Sequence, residues 1–191
     1  MKGGIKLGFA MCGSFCTHEK ALNALRTLCG EYEDIQPILS EICCATDTRF
    51  GKAADLKAEV ERLCGKRIIS TVAQAEPIGP KKLLDALVIA PCTGNTLAKI
   101  SRGVTDSVVT MACKAHMRNG RPVIIALASN DALSANGENL GRLMARDGIY
   151  FVPLGQDDPL GKPDSLVADF TRIPETIEAA LEGRQIQPVL L

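Results

Sequence analysis

No apolar run in this chain approaches the roughly 20 residues that a bilayer-spanning helix needs, so no membrane anchor is expected. Met1 to Ile5 leads straight into a strand-like segment, without the charged and then apolar stretch of an export signal, and the protein is expected to stay in the cytoplasm. An excess of charge of one sign is missing as well, because 22 basic residues are cancelled by 22 acidic ones. Without a global field, neither nucleic acid nor an anionic membrane is an expected partner; small neutral ligands or one small anion fit better. Tryptophan is absent, and histidine occurs twice, at His18 and His116. Both lie in helical patterns and read as packed or exposed side chains.

Zinc-type spacing is also lacking. Of eight cysteines, Cys12 and Cys16 alone stand at a ligand-like interval, with no second pair and no His-x-His cluster. In a cytosolic chain the remaining reading is scattered buried thiols that pack like small hydrophobes, and no metal site is expected.

What is present is a core and a rhythm. With 46% apolar residues in 191, the chain can bury one sizeable core, and no linker or composition shift divides it, so residues 1–191 are read as a single domain. Short apolar runs alternate with helical patterns. Strand-like runs are expected at 5–10, 35–39, 66–72 (weaker), 86–90, 122–128 and 149–153. Helices are expected from Ala21 to a stop at Gly30, at 53–63, within 77–84, from Gly94 to Val104, and at 106–117, 136–147 and 174–182. The run ALVIA, ending at Pro91, and the run PVIIALA are apolar throughout, as strands buried on both faces should be. The alternation predicts an α/β fold, a mostly parallel sheet covered on both faces with right-handed crossovers. In such sheets ligands bind outside the carboxyl ends of the strands. The loops after Ala10, Ser40 and Ala90 therefore matter.

The first loop, Gly8-Phe9-Ala10-Met11-Cys12-Gly13-Ser14, puts a glycine and a hydroxyl at the start of a helix, where unpaired amides attract one phosphate. It is not a P-loop, lacking the Lys-Ser/Thr pair, nor a dinucleotide fingerprint, lacking the third glycine. An ordinary turn capped by Ser14 or Thr17 stays open. The third loop, Ala90-Pro91-Cys92-Thr93-Gly94-Asn95-Thr96, packs small residues, an amide and two hydroxyls behind a buried strand. That composition leaves room for a flat ring close to the backbone, with donors and acceptors for its polar edge.

This third loop, with Leu97-Ala98-Lys99-Ile100-Ser101-Arg102-Gly103-Val104-Thr105-Asp106 behind it, resembles the Pro-Ala-Ser-Ala-Asn-Thr motif and its downstream Ala-Lys-Ile-x-x-Gly-x-x-Asp in the flavin-containing cysteine decarboxylase family of flavoproteins. Pro91, Asn95 and Thr96 match; Cys92, Thr93 and Gly94 depart within the same size range. The resemblance implies a Rossmann-like, flavodoxin-like three-layer sandwich, bound FMN, and a homo-oligomer built on trimers. It implies that Gly13 and Ser14 hold the FMN phosphate, that Thr46, Thr48 and Phe50 border the ribityl chain and ring, and that Asn95, Thr96 and Ser107 approach the isoalloxazine, with Pro91 and Thr93 in the same contact set.

Two departures speak against decarboxylation. The family's catalytic histidine falls fourteen residues before the motif proline, and that position here is Pro77. The family's Pro-x-Met-Asn-x-x-Met-Trp clamp is replaced by Ser129-Asn130-Asp131-Ala132-Leu133-Ser134-Ala135-Asn136-Gly137. These segments, with Thr48-Arg49-Phe50-Gly51, Ala75-Glu76-Pro77-Ile78-Gly79-Pro80-Lys81 and Gly155-Gln156-Asp157-Asp158-Pro159, resemble the B-subunit family of the dipicolinate synthases along nearly the whole chain. That resemblance implies formation of pyridine-2,6-dicarboxylate in sporulating cells from a dihydropyridine dicarboxylate or its hydroxylated precursor. The implied partner is a dipicolinate synthase A subunit carrying the NAD(P) domain. A dicarboxylate substrate needs cations; the candidates are Arg49, Lys81 and Lys82, with Lys114 as runner-up, each also readable as a solvated charge. No general base is assigned, since Asp131 reads at least as well as a turn cap. A decarboxylase or flavin prenyltransferase on the same fold, and a non-catalytic docking role, are the alternatives.

Overall fold

The computed structural model describes residues 2–191. Strand β1 (Lys2–Met11) enters the core through its second half, and helix α1 (His18–Glu31) follows after a short 3-10 turn. Ala21, Leu22, Leu25 and Leu28 recur at helical spacing and form the buried stripe of α1. The helix runs through Gly30 and does not stop there. Tyr32, in extended conformation, opens β2 (Tyr32–Leu39) directly. After β2 come α2 (Glu41–Ala45), α3 (Ala53–Cys64) and α4 (Val72–Ala75), then β3 (Ala86–Cys92), α5 (Gly94–Arg102), α6 (Val108–Met117), β4 (Val123–Ser129), α7 (Gly137–Met144) and β5 (Ile149–Phe151). A hairpin-like pair, β6 (Leu154–Gly155) and β7 (Leu166–Ala168), and helix α8 (Ile173–Leu181) complete the chain.

The parallel strands stand in the order β2-β1-β3-β4-β5; β7 adds antiparallel to the end of β4, and β6 pairs antiparallel with β7. Every residue of β3 and β4 is buried, because helices cover both faces: α1 and α8 pack on one, α6, α5 and α7 on the other. This is the flavodoxin-like three-layer sandwich. From β1 the chain turns to β2 on one side, and from β3 to β4 on the other. The connections therefore diverge at the carboxyl ends of β1 and β3, which opens a crevice there.

Several expected elements take other forms. Residues 66–72 do not make a strand: Ile69 alone bridges to Ile38, exchanging bonds with Pro37 and Leu39. The Thr71–Gln74 capping box then turns the chain into α4. The helix expected within 77–84 is a 3-10 turn at Glu76–Ile78 followed by a tight turn with Lys82 at φ +49°. Strand β3 does not end at Pro91; the cis Ala90–Pro91 bond lies inside it, and the Pro91 carbonyl accepts from Cys12 N at 3.1 Å. The β6/β7 pair lies beside the Gly- and Asp-rich segment read as a plain connection; two or three residues per strand are too few to show alternation.

His116, on α6, is fully buried; Nε2 meets the Pro122 carbonyl at 3.0 Å, while Nδ1 has no partner among the described residues. Burial pushes its pKa from 6.5 down to about 4. The folded state thus holds this proton less tightly than the unfolded chain. The stability that neutral His116 contributes is complete above pH 6.5 and is lost as pH falls from there through about 4. Its full size is about 3 kcal/mol. Urea midpoints taken at stepped pH should fall across that window, and His116→Gln should remove this component of the fall.

Candidate functional site

Four segments converge beyond the carboxyl ends of β1, β3 and β4: the first loop, the third loop, the Ser129–Asp131 turn and the stretch 157–167. They enclose a cleft of about 890 Å3 lined by Gly13, Ser14, Thr93, Gly94, Asn95, Ser129, Asn130 and Asp131, with Lys20 and Lys162 among its rim residues. That volume is ample for a cofactor-sized ligand.

At the first loop, Ser14 precedes the 3-10 turn, and its hydroxyl makes no capping bond. Thr17, at the start of α1, makes none either, because its hydroxyl donates to the Ser14 carbonyl at 2.8 Å. The amides of Ser14, Thr17 and His18 already donate to the carbonyls of Cys12, Ser14 and Phe15, so the amides this turn leaves without an acceptor among the described residues are those of Phe15 and Cys16, beside the free Ser14 hydroxyl. That arrangement suits an anion. Gly13 lies close under the second loop, where a Cβ would stand 3.0 Å from Ile42 Cγ2.

The third loop is held from inside. Thr93 caps α5, accepting from Thr96 N at 3.2 Å and donating to Thr96 Oγ1 at 3.0 Å. Thr96 Oγ1 in turn donates to the Cys12 sulfur at 3.3 Å, tying the third loop to the first. Burial raises the Cys12 thiol to about 11, so it stays protonated and acts as packing. Thr96 is thereby spent on structure, as is buried Pro91, whereas Asn95 is exposed and its side chain makes no hydrogen bond among the described residues.

Under this loop lies a polar network. The Asp131 carboxylate accepts from the Ser129 hydroxyl and, at 2.9 Å, from Asn136 Nδ2; Asn136 Oδ1 accepts from Asn139 at 3.0 Å. The Asp131 carbonyl also accepts from Ser134 N and Asn136 N. Asp131 is thus a turn cap with both carboxylate oxygens engaged. Gly94 sits against the network: an added Cβ would stand 2.4 Å from Ser129 Oγ, 2.7 Å from Asn136 Nδ2 and 2.8 Å from Asp131 Oδ1.

Gly13, Ser14, Thr93 and Asn95 thus share one cleft. Thr46, Thr48 and Phe50 line a neighbouring cleft of about 330 Å3 with Phe15 and His18, on the far side of the Phe15–Cys16 turn. Arg49 is exposed and stacks over the Phe50 ring at 4.8 Å. His18 bonds the Cys12 carbonyl at 2.8 Å, and burial lowers its pKa, which keeps it neutral. Ser107 caps α6 through a capping box with Thr110, and Val108 N donates to Glu41 at 2.7 Å; Ser107 does not line the large cleft.

Lys81 and Lys82 do not join the cleft of their own chain. They precede β3, and the Lys82 carbonyl accepts from Arg121 beside the amino end of β4, so a strand of roughly 20 Å separates them from the carboxyl ends. Pro77 lies in the same distant turn, which Asn119 ties down through Gly79. Lys114 lines a different groove, beside α5 and α6. The cations that do face the cleft are Lys20 and Lys162, the latter 3.5 Å from Asp157. Sequence reading missed both, together with Ser129; the three-residue spacing from Thr17 to Lys20, which puts them on one helix face, was the available signal for the first.

The thiols are only partly as expected. Cys12, Cys43, Cys92 and Cys113 are buried, but Cys16 is exposed at the junction of the two clefts. Among the described residues no group of His, Cys, Asp or Glu could hold a metal ion, and no helix is long and apolar enough to cross a membrane.

The family model described as Flavoprotein matches residues 1–179. The chain is 45% identical over 188 residues to the B subunit of dipicolinate synthase from Bacillus subtilis (strain 168), covering 98% of this chain and 94% of that protein. It is 28% identical over 101 residues to the flavin prenyltransferase UbiX of Thermoplasma acidophilum, covering 48% and 55%. The crystal structure of the B subunit of dipicolinate synthase from Bacillus halodurans aligns with a TM-score of 0.90 at 44% identity, covering 98% and 96%. The FMN-dependent cysteine decarboxylase SpaF aligns with a TM-score of 0.68 at 22% identity, covering 94% and 97%, a likeness of fold.

Proposed function

The chain belongs to the flavoprotein family, and from that premise we propose that it acts as the flavin-binding B subunit of a dipicolinate synthase, taking part in oxidation of a dihydropyridine dicarboxylate to pyridine-2,6-dicarboxylate. The observation that carries the reading is the cleft at the β1/β3 divergence, with a free Ser14 hydroxyl before an uncapped helix start and no room for a side chain at Gly94.

In this proposal Gly13, the Ser14 hydroxyl and the unbonded amides of Phe15 and Cys16 receive the FMN phosphate. Thr93, Gly94 and Asn95 offer a flat, small-residue surface to the ring, and the Asn95 amide bonds its polar edge. FMN, when bound, supplies a hydride acceptor. Lys20 and Lys162 are the cations available in the cleft to a phosphate or a substrate carboxylate; Arg49 stays a candidate at the neighbouring mouth. Thr46, Thr48, Phe50 and Ser107 lie outside the large cleft and are not placed against the ring within one chain. Asp131 holds the turn below the ring. The Asp131 carboxylate is engaged twice, Asp157 accepts from Ser165 Oγ at 2.7 Å, and Asp164 is the remaining carboxylate of the cleft; at position 77, where the family has its histidine, proline has no proton to exchange. That supports oxidation, in which aromatisation supplies the driving force, over proton-driven decarboxylation. The partner A subunit supplies the NAD(P) site, and a trimer-based homo-oligomer in the cytoplasm is part of the same proposal.

The test mixes the FMN-loaded chain with a dipicolinate synthase A subunit and a dihydropyridine dicarboxylate. Dipicolinate should form faster with both subunits than with either. Equal rates with the A subunit alone, or CO2 released from a cysteinyl peptide by this chain, would contradict the assignment.

A further inference from the structure

We propose that the groove between α5, α6 and the turn after α7 is a second binding site, separate from the flavin cleft, for a small planar carboxylate. The groove has a volume of about 370 Å3 and shares no lining residue with the large cleft. Its floor is apolar, formed by Ile100, Val104, Cys113 and Met117; Val104 is 42% exposed there. Its rim carries three cations, Lys114 and Arg118 from α6 and Arg146 from the turn after α7.

None of the three cations has an ionic partner among the described residues, and no acidic side chain lines the groove. The neighbouring Arg102 and Arg142 are different: both are paired to Glu138, at 2.9 Å and 2.7 Å. A favourable interaction with the carboxyl end of α6 accounts for Lys114 and Arg118. Arg146 stands likewise just past the carboxyl end of α7; what the helix ends do not account for is that cations from two helices meet over one apolar floor. In a chain whose net charge is zero, three uncompensated cations over an apolar surface select a ligand with a flat apolar body and carboxylates at its edge. The volume admits a one-ring acid. Burial raises the Cys113 thiol to about 12, so the floor adds no negative charge of its own.

The choice of probe rests on the proposed function, whereas the site does not. Calorimetric titration of the FMN-loaded full chain with pyridine-2,6-dicarboxylate should show saturable binding that pyridine and sulfate fail to displace, since one lacks the charge and the other the ring. Lys114→Gln, Arg118→Gln and Arg146→Gln, all exposed positions, should each weaken binding about fivefold, and the triple variant about 100-fold, the scale of solvent-facing ion pairs. Ser14→Glu, which blocks the flavin cleft, should leave this binding unchanged, so failure of the flavin reading and failure of this site appear in different variants. No saturable binding, equal displacement by sulfate, or binding that the triple variant retains would overturn the inference.

Discussion

Gly94→Ala is expected to lower stability by about 2–3 kcal/mol and to weaken FMN binding about tenfold or more, a large effect for one methyl group. The added Cβ meets three polar atoms at once, Ser129 Oγ, Asn136 Nδ2 and Asp131 Oδ1. None of these is the end of a long flexible side chain. Ser129 and Asn136 are both buried, and each is held by the Asp131 carboxylate. Relief therefore requires breaking a buried hydrogen bond, at roughly 1–3 kcal/mol, or lifting the third loop away from the turn. Lifting the loop moves Thr93 and Asn95, which line the cleft, and a loss of about 1.4 kcal/mol in binding is a factor of ten. Urea titration and FMN fluorescence quenching read the two effects separately. Unchanged values in both would mean that the third loop shifts freely, against its ties to Thr96 and Cys12.

Ser14→Glu should have the largest effect on the ligand with little effect on the fold. The Ser14 hydroxyl makes no capping bond, so replacing it removes no structural contact of that kind. A carboxylate at that point faces the FMN phosphate; two like charges about 4 Å apart repel by about 4 kcal/mol at an effective dielectric near 20. FMN affinity should fall by about two to three orders of magnitude, while riboflavin, which lacks the phosphate, should bind within about twofold of the parent protein. The contrast between the two ligands is the reading. An equal loss for both would place the position against the ring or ribityl chain and move the phosphate elsewhere.

The strands that set the sheet were legible because burial on both faces leaves uninterrupted apolar runs, as in ALVIA and PVIIALA. Helices α1 and α3 declared themselves by spacing, and Gly65, left-handed at φ +63°, ends α3 one residue past the expected 53–63. Gly30 misled: it lies inside α1, whose end is set by β2 starting at Tyr32. The short pieces were hidden by length. Ile69 makes a single bridge, and the β6/β7 pair is held by the end of β4 more than by its own pattern.

The first and third loops could be singled out from composition and from their places after strands. Which of their groups are free could not. Thr93 and Thr96 differ from Asn95 through capping bonds that depend on where α5 begins. Lys81 and Lys82 precede a strand and so fall at its far end. They stand four and five residues after Pro77, in the same turn at the amino end of the sheet. Lys20 and Lys162 come together in the cleft because α1 and the segment before β7 line it jointly, a neighbourhood no local pattern encodes.

The most direct test is the identity of the small molecule released when the purified protein is denatured, read by absorbance and mass. Flavin mononucleotide, near one per chain or restored to that level by adding it, is the expected outcome. A colourless protein that releases no flavin and does not change the spectrum of added FMN would contradict the account.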